Sequence, residues 1–159
     1  MTETKLDIQR PMDICDYNIP WVSEGRNKGQ ELRDPGKWLL FYPKSKMNDA
    51  WEQAVNLYRG GKLIGVNSMK CSTNAENDRS SDERQGVIIL YCSDSGNESE
   101  IMLIGRNVLG RFGYREKRMI FYKTDVQTKI GTSAMGEQRN YTYKLLTVGE
   151  PSSIGRCLI

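Results

Sequence analysis

The sequence predicts an α+β domain in which a sheet is backed by helices, and three observations carry that expectation. Between Gly36 and Thr73 the chain reads GKWLLFYPKSKMNDAWEQAVNLYRGGKLIGVNSMKCST, a strand, a basic turn, an amphipathic helix, a glycine stop and a second strand in succession. Lys37–Tyr42 and Val87–Cys92 are apolar on both faces, as strands in the interior of a sheet are. The 159 residues, 38% hydrophobic and 27% charged, suit one hydrophobic core.

In chain order, residues 1–35 read as an N-terminal arm laid over the domain. Pro11 and Pro20 limit regular structure there, and Trp21 is expected to anchor the arm in a surface groove. Alternation along Lys37–Tyr42 puts Trp38, Leu40 and Tyr42 on one face and Leu39 and Phe41 on the other. Ser45 is placed to cap the next helix, where Met47, Trp51, Ala54, Val55 and Tyr58 recur at spacings of three and four before Gly60-Gly61 stops it. The second strand is expected over Leu63–Ser72, with Val66, Ser68, Lys70 and Ser72 on one face. A long polar loop over Thr73–Gly86 follows.

After the third strand, Asn97 with Glu100 three residues on marks the start of a second helix. That helix carries Ile101, Ile104, Gly105, Val108 and Phe112 on one side, with Gly105 allowing close approach to the sheet. The basic run Arg111–Arg118 leads into a fourth strand, Met119–Lys123, and Tyr141–Val148 reads as the last. The domain is thus expected over 36–148, followed by a surface tail over 149–159.

Bulk properties exclude several function classes. A formal charge of +3 is too small for a general nucleic-acid coat or a polybasic membrane anchor. No stretch approaches the ~20 apolar residues of a membrane span, and Met1–Arg10 has no apolar run of a signal peptide. A soluble, monomeric protein of the cytoplasm, and also of the nucleus, is expected, with no membrane partner. Cys15, Cys71, Cys92 and Cys157 are widely separated and are expected to be buried free thiols. The chain has no histidine, which removes Ser-His and Cys-His nucleophile pairs and histidine metal centres. Neither a metal site nor a cofactor is expected.

Three motifs sit where strands end: Pro43-Lys44-Ser45-Lys46, Lys70-Cys71-Ser72-Thr73, and Tyr122-Lys123-Thr124-Asp125 with Thr128 nearby. Ammonium groups beside hydroxyl donors suit phosphate oxygens, one supplying charge and the other directional hydrogen bonds. Tyr42 and Tyr122, each close to a lysine at a strand end, are the expected stacking rings for a base. The candidate ligand site is therefore Lys44, Lys46, Lys70, Ser72, Thr73, Tyr42, Tyr122, Lys123, Thr124, Asp125 and Thr128. No P-loop, dinucleotide fingerprint or nucleophile elbow is present, and no residue is assigned a catalytic role.

The stretch from Gly36 to Thr73, then GVIILYC, then VLGRFGYREKRMIFYKTDVQT resembles the basophilic leukaemia-expressed protein family, over roughly Gly36–Gly131. Its pattern is a GKW strand, a Trp-bearing helix, a K-x-S-T strand end and a YKTD strand end. That family in turn resembles the messenger-RNA cap-binding initiation factors in fold. The resemblance implies a single curved, mostly antiparallel sheet with two main helices on its convex face and a ligand on the concave one. It does not extend to a tryptophan followed by glutamate between the second and third strands, the pair that would sandwich and read methylated guanine. Trp51-Glu52 lies on the helix instead.

The leading expectation is a binding protein holding a nucleotide or short RNA by a phosphate group in a basic groove on the concave face. A second is an enzyme acting on phosphate esters or nucleotides, as hydrolase or lyase, with Lys70 or Lys123 as base and Asp125 orienting it. The phosphothreonine-lyase chemistry attached to some family members pairs a lysine base with a histidine acid, which this chain lacks. A third is an adaptor that binds a protein partner through the Trp51 helix.

Overall fold

The computed structural model describes residues 7–25, 33–75, 84–125 and 141–147. Six strands, β1 (Trp21–Gly25), β2 (Gly36–Pro43), β3 (Ser68–Ser72), β4 (Gln85–Cys92), β5 (Met119–Thr124) and β6 (Tyr143–Leu146), form one sheet in the order β1-β3-β4-β2-β5-β6. Every neighbouring pair is antiparallel. The sheet is curved and does not close, and α1 (Lys44–Arg59) and α2 (Glu98–Phe112) cover its convex face.

Period-two alternation divides the sheet residues between the two faces. Register sets Trp38 opposite Leu90 on one side and Tyr122 on the other, so these three side chains point the same way. That way is toward the helices. The Trp38 indole donates to the Ile101 carbonyl at 3.2 Å, and Trp38, Leu40, Ile88, Leu90, Met69 and Ile120 pack with the buried stripes of α1 and α2. A Cβ on Gly105 would stand 2.6 Å from the Trp38 ring and from Leu145, so glycine there lets α2 lie directly on the sheet.

The helix ends differ in how they are made. Asn97 caps α2 by accepting from the Glu100 N–H at 3.3 Å, as the sequence predicts. Ser45 does not cap α1: the helix begins at Lys44, whose N–H donates to the Arg84 carbonyl, and this places Ser45 inside the first turn. Gly61 follows the helix at φ 72, the left-handed conformation that glycine takes without cost.

Several expected boundaries move. Part of the segment read as an arm, Trp21–Gly25, is an edge strand paired with β3. The second strand is shorter than expected, because Leu63–Asn67 makes a turn through Gly65 at φ 82 before β3 begins at Ser68. Cys71 and Cys92 are buried, but Cys15 is exposed, and Cys157 lies outside the described residues. Among the described residues no helix is long and apolar enough to cross a membrane.

Candidate functional site

On the concave face the same register gathers a cluster of lysines. Lys37 and Lys123 are directly opposite one another on β2 and β5, and Lys37 is opposite Tyr91 on β4. Lys70, on β3, has the same parity. Its ammonium lies 4.3 Å from the centre of the Trp21 ring and 5.9 Å from that of Tyr91, over which the Lys37 ammonium also sits, at 5.6 Å. Two ammonium groups therefore approach one aromatic ring, an arrangement in which the ring quadrupoles supply part of the counter-charge.

Asp125 adds one carboxylate. Its Oδ1 accepts from the Lys37 Nζ at 3.2 Å, and Lys37 as a residue is only 7% exposed. Partial burial lowers the proton affinity of Lys70, Lys37 lowers it further by like-charge repulsion, and Asp125 works against both. Burial and the nearby Lys37 likewise lower that of Lys123. Burial, and then Asp125, push the Tyr91 phenol up to about 12, which keeps it neutral. The result is a set of ammonium groups short of counter-charge at the foot of a concave face, and an oxyanion is the ligand such a set attracts.

Of the eleven residues in the predicted site, Lys70, Lys123 and Asp125 come together here. Asp125 holds Lys37 rather than Lys70 or Lys123, so the orienting role expected for it falls on a different lysine. Ser72 is on the same face, opposite Trp21 in register, and its Oγ accepts from the Val87 N–H at 3.0 Å. Thr73 is buried and structural: its hydroxyl donates to the Ile19 carbonyl at 2.6 Å and accepts from the Ala75 N–H. Thr124, opposite Gly36, has the parity of the helix side. Thr128 lies outside the described residues.

Tyr42 and Tyr122 are corrections to the predicted stacking surface. They are 7% and 0% exposed and point into the helix-side core, Tyr42 edge-on to Tyr114 and Tyr122 edge-on to Trp38, with the Tyr122 hydroxyl bonded to Ser95. Lys44 and Lys46 also stand apart from the cluster. Lys44 lies seven positions beyond Lys37 along the chain, about 23 Å for a strand, and Lys44 donates to Asn74 while Lys46 pairs with Glu116. A cavity of about 170 Å³ opens at that far end, lined by Phe41, Pro43, Arg84, Gln85, Glu116 and Lys117. Trp51 is 2% exposed, so it gives a protein partner no ring to grip, and the adaptor reading loses the residue it rested on.

Lys37 escapes notice in the sequence because it stands in an apolar strand, Trp21 because it reads as the anchor of the arm, and Tyr91 because its strand reads as apolar on both faces. Alternation was the available signal for Lys37: it shares parity with Leu39 and Phe41, opposite to Trp38.

Six antiparallel strands with two helices on the convex side and a basic concave face define a protein of the cap-binding initiation-factor fold. Solved structures of that fold match: schistosome eIF4E complexed with m7GpppA and 4E-BP has a TM-score of 0.54 at 15% identity, covering 70% of this chain and 59% of the other. The same schistosome protein with m7GpppG and 4E-BP gives 0.53 at 16% over the same shares. C. elegans eIF4E-3 with the 4E-binding protein Mextli and a cap analogue gives 0.51 at 10%, covering 62% and 54%. The chain thus spans little more than half the length of these structures, and at such identities the likeness is one of fold. No curated protein matches the sequence. The family model described as basophilic leukemia-expressed protein Bles03 matches residues 31–131, and the chain belongs to that family.

Proposed function

We propose that this chain is a binding protein that holds a nucleotide or RNA by a phosphate group on the concave face of its sheet. The observation that carries the reading is the convergence of Lys37 and Lys70 on Tyr91, with Lys70 also over Trp21, Lys123 opposite Lys37 in register and Asp125 engaged by Lys37. Lysine ammoniums supply charge to phosphate oxygens, and the partly exposed aromatic rings beside them supply a surface for a base. The fold supports a nucleotide ligand, since the schistosome and nematode structures that share it are complexes with cap nucleotides or a cap analogue. Those structures also hold 4E-BP or Mextli, which supports a protein partner as well.

Thermal unfolding of the intact chain against cap analogues, nucleoside mono-, di- and triphosphates and short RNA tests the reading. A ligand at 100 times its dissociation constant stabilises the fold by ~2.7 kcal/mol, and that stabilisation is expected to disappear in Lys70→Met and Lys123→Met. No stabilisation with any of the panel, or one that survives both substitutions, refutes the proposal.

A further inference from the structure

The lysine cluster also carries information about which kind of phosphate it suits, and this step rests on the proposed reading of the same face. The Lys37 charge acts on both Lys70 and Lys123, and Asp125 is the counter-charge that acts on Lys37 and Lys70. With the ammoniums protonated, three cations against one carboxylate leave two positive charges without an ionic partner. An internal phosphodiester brings one negative charge. A terminal phosphomonoester brings about 1.5 to 2 at neutral pH, because its second proton leaves near pH 6. A terminal diphosphate brings more.

The layout of the face points the same way. Proteins that follow a nucleic-acid backbone present a basic groove along the strand's path. Here Lys37, Lys70 and Lys123 are gathered at one end of the face, and its middle is floored by Leu39, Ile89 and Phe121, with Lys144 opposite Phe121 on the edge strand β6. At the far end Lys44 and Lys46 are engaged by Asn74 and Glu116. Lys70 is held over aromatic rings, and no carboxylate among the described residues is paired with it, so its ammonium is free to turn to an oxyanion.

We infer that the Lys37–Lys70–Lys123 cluster selects a terminal phosphomonoester or diphosphate, as at the 5′ end of a nucleotide or RNA, over the internal phosphodiesters of a chain. Trp21 reports occupancy. Trp38 and Trp51 are buried at 0% and 2% exposure, and an anion that draws Lys70 off the Trp21 ring changes the emission of that one partly exposed indole.

The test is a fluorescence titration of the intact chain at fixed ionic strength. The probes are inorganic diphosphate and one short oligoribonucleotide in 5′-phosphorylated and 5′-hydroxyl forms, with Trp21→Phe as the optical control. The 5′-phosphorylated strand is expected to bind at least tenfold tighter than its 5′-hydroxyl twin, and inorganic diphosphate to compete with it. Lys70→Met and Lys123→Met should each weaken the phosphorylated strand severalfold while leaving the 5′-hydroxyl strand little changed. Calorimetry repeats the measurement without the optical signal. Equal affinity for the two strands overturns this inference and leaves the proposed function standing. Absence of binding by every probe in both methods overturns the inference, and the failure of the wider nucleotide panel is what would overturn the function.

Discussion

Replacing Asp125 by asparagine removes the counter-charge of the cluster while keeping the shape of the side chain. In the folded protein the Lys37 side chain is 9% exposed and that of Asp125 36%, with Nζ and Oδ1 3.2 Å apart. Removing one partner of a fully buried pair costs about 3–5 kcal/mol, and an exposed pair contributes about 0–1 kcal/mol. A pair with one member buried and the other a third exposed falls between, and the asparagine carbonyl still accepts from Lys37. The expected loss is about 1–3 kcal/mol at pH 7 and low salt. At ~2–4 °C per kcal/mol for a chain of this size, that lowers the melting temperature by about 2–12 °C. Urea unfolding of the wild type, Asp125→Asn, Lys37→Met and the double variant measures both the loss and its cause. Methionine fills the volume of the lysine stem, so the double variant should recover most of the stability, with a coupling energy above about 1 kcal/mol. An Asp125→Asn midpoint within about 0.5 kcal/mol of wild type, or two substitutions that simply add, would refute the ion pair as the support of the cluster.

Two further outcomes are expected. Burial and like charge lower the proton affinity of Lys70 and Lys123, so below the ordinary lysine value the unfolded chain binds more protons than the folded one. Stability should therefore climb as pH rises through the depressed values toward 10.5, until Tyr91, neutral in the fold up to about 12 against 10.0 in the unfolded chain, turns the trend down above pH 10. Urea midpoints between pH 7 and pH 9.5 should show the climb, and Lys70→Met should flatten it; an equal slope in the variant would mean that Lys70 does not carry the penalty. Gly105→Ala puts a Cβ 2.6 Å from Trp38 and Leu145. Overpacking of ~1–3 kcal/mol there should exceed the ~1 kcal/mol that alanine gains in helix propensity. A variant that melts above the wild type would show that α2 can lift from the sheet without loss.

How far the sequence could be read depended on whether a feature was local. The interiors of β2 and β4 were legible because both their faces are apolar, and α2 because its stripe and its Asn97 cap lie within a few residues of each other. β1 was not, since its five residues follow Pro20 and become a strand only through pairing with β3. The site shows the same limit. A ring beside a lysine in sequence, as Tyr122 is beside Lys123, must point to the opposite side of a strand, so choosing Tyr122 by adjacency selected a ring on the wrong face. The rings that do stand by the lysines, Tyr91 and Trp21, belong to other strands, and no spacing along the chain announces them. Register alone decides which residues meet: Lys37 faces Tyr91 and Lys123 because β2 is paired on both sides with that alignment. A slip of one residue in either pairing would send Lys37 and its partners to opposite faces and dissolve the cluster. The site is thus a property of the assembled sheet, with the aromatic core under the helices holding the register that creates it. Trp38, fixed between Leu90 and Tyr122 and bonded to Ile101, is the residue through which that core acts on Lys37.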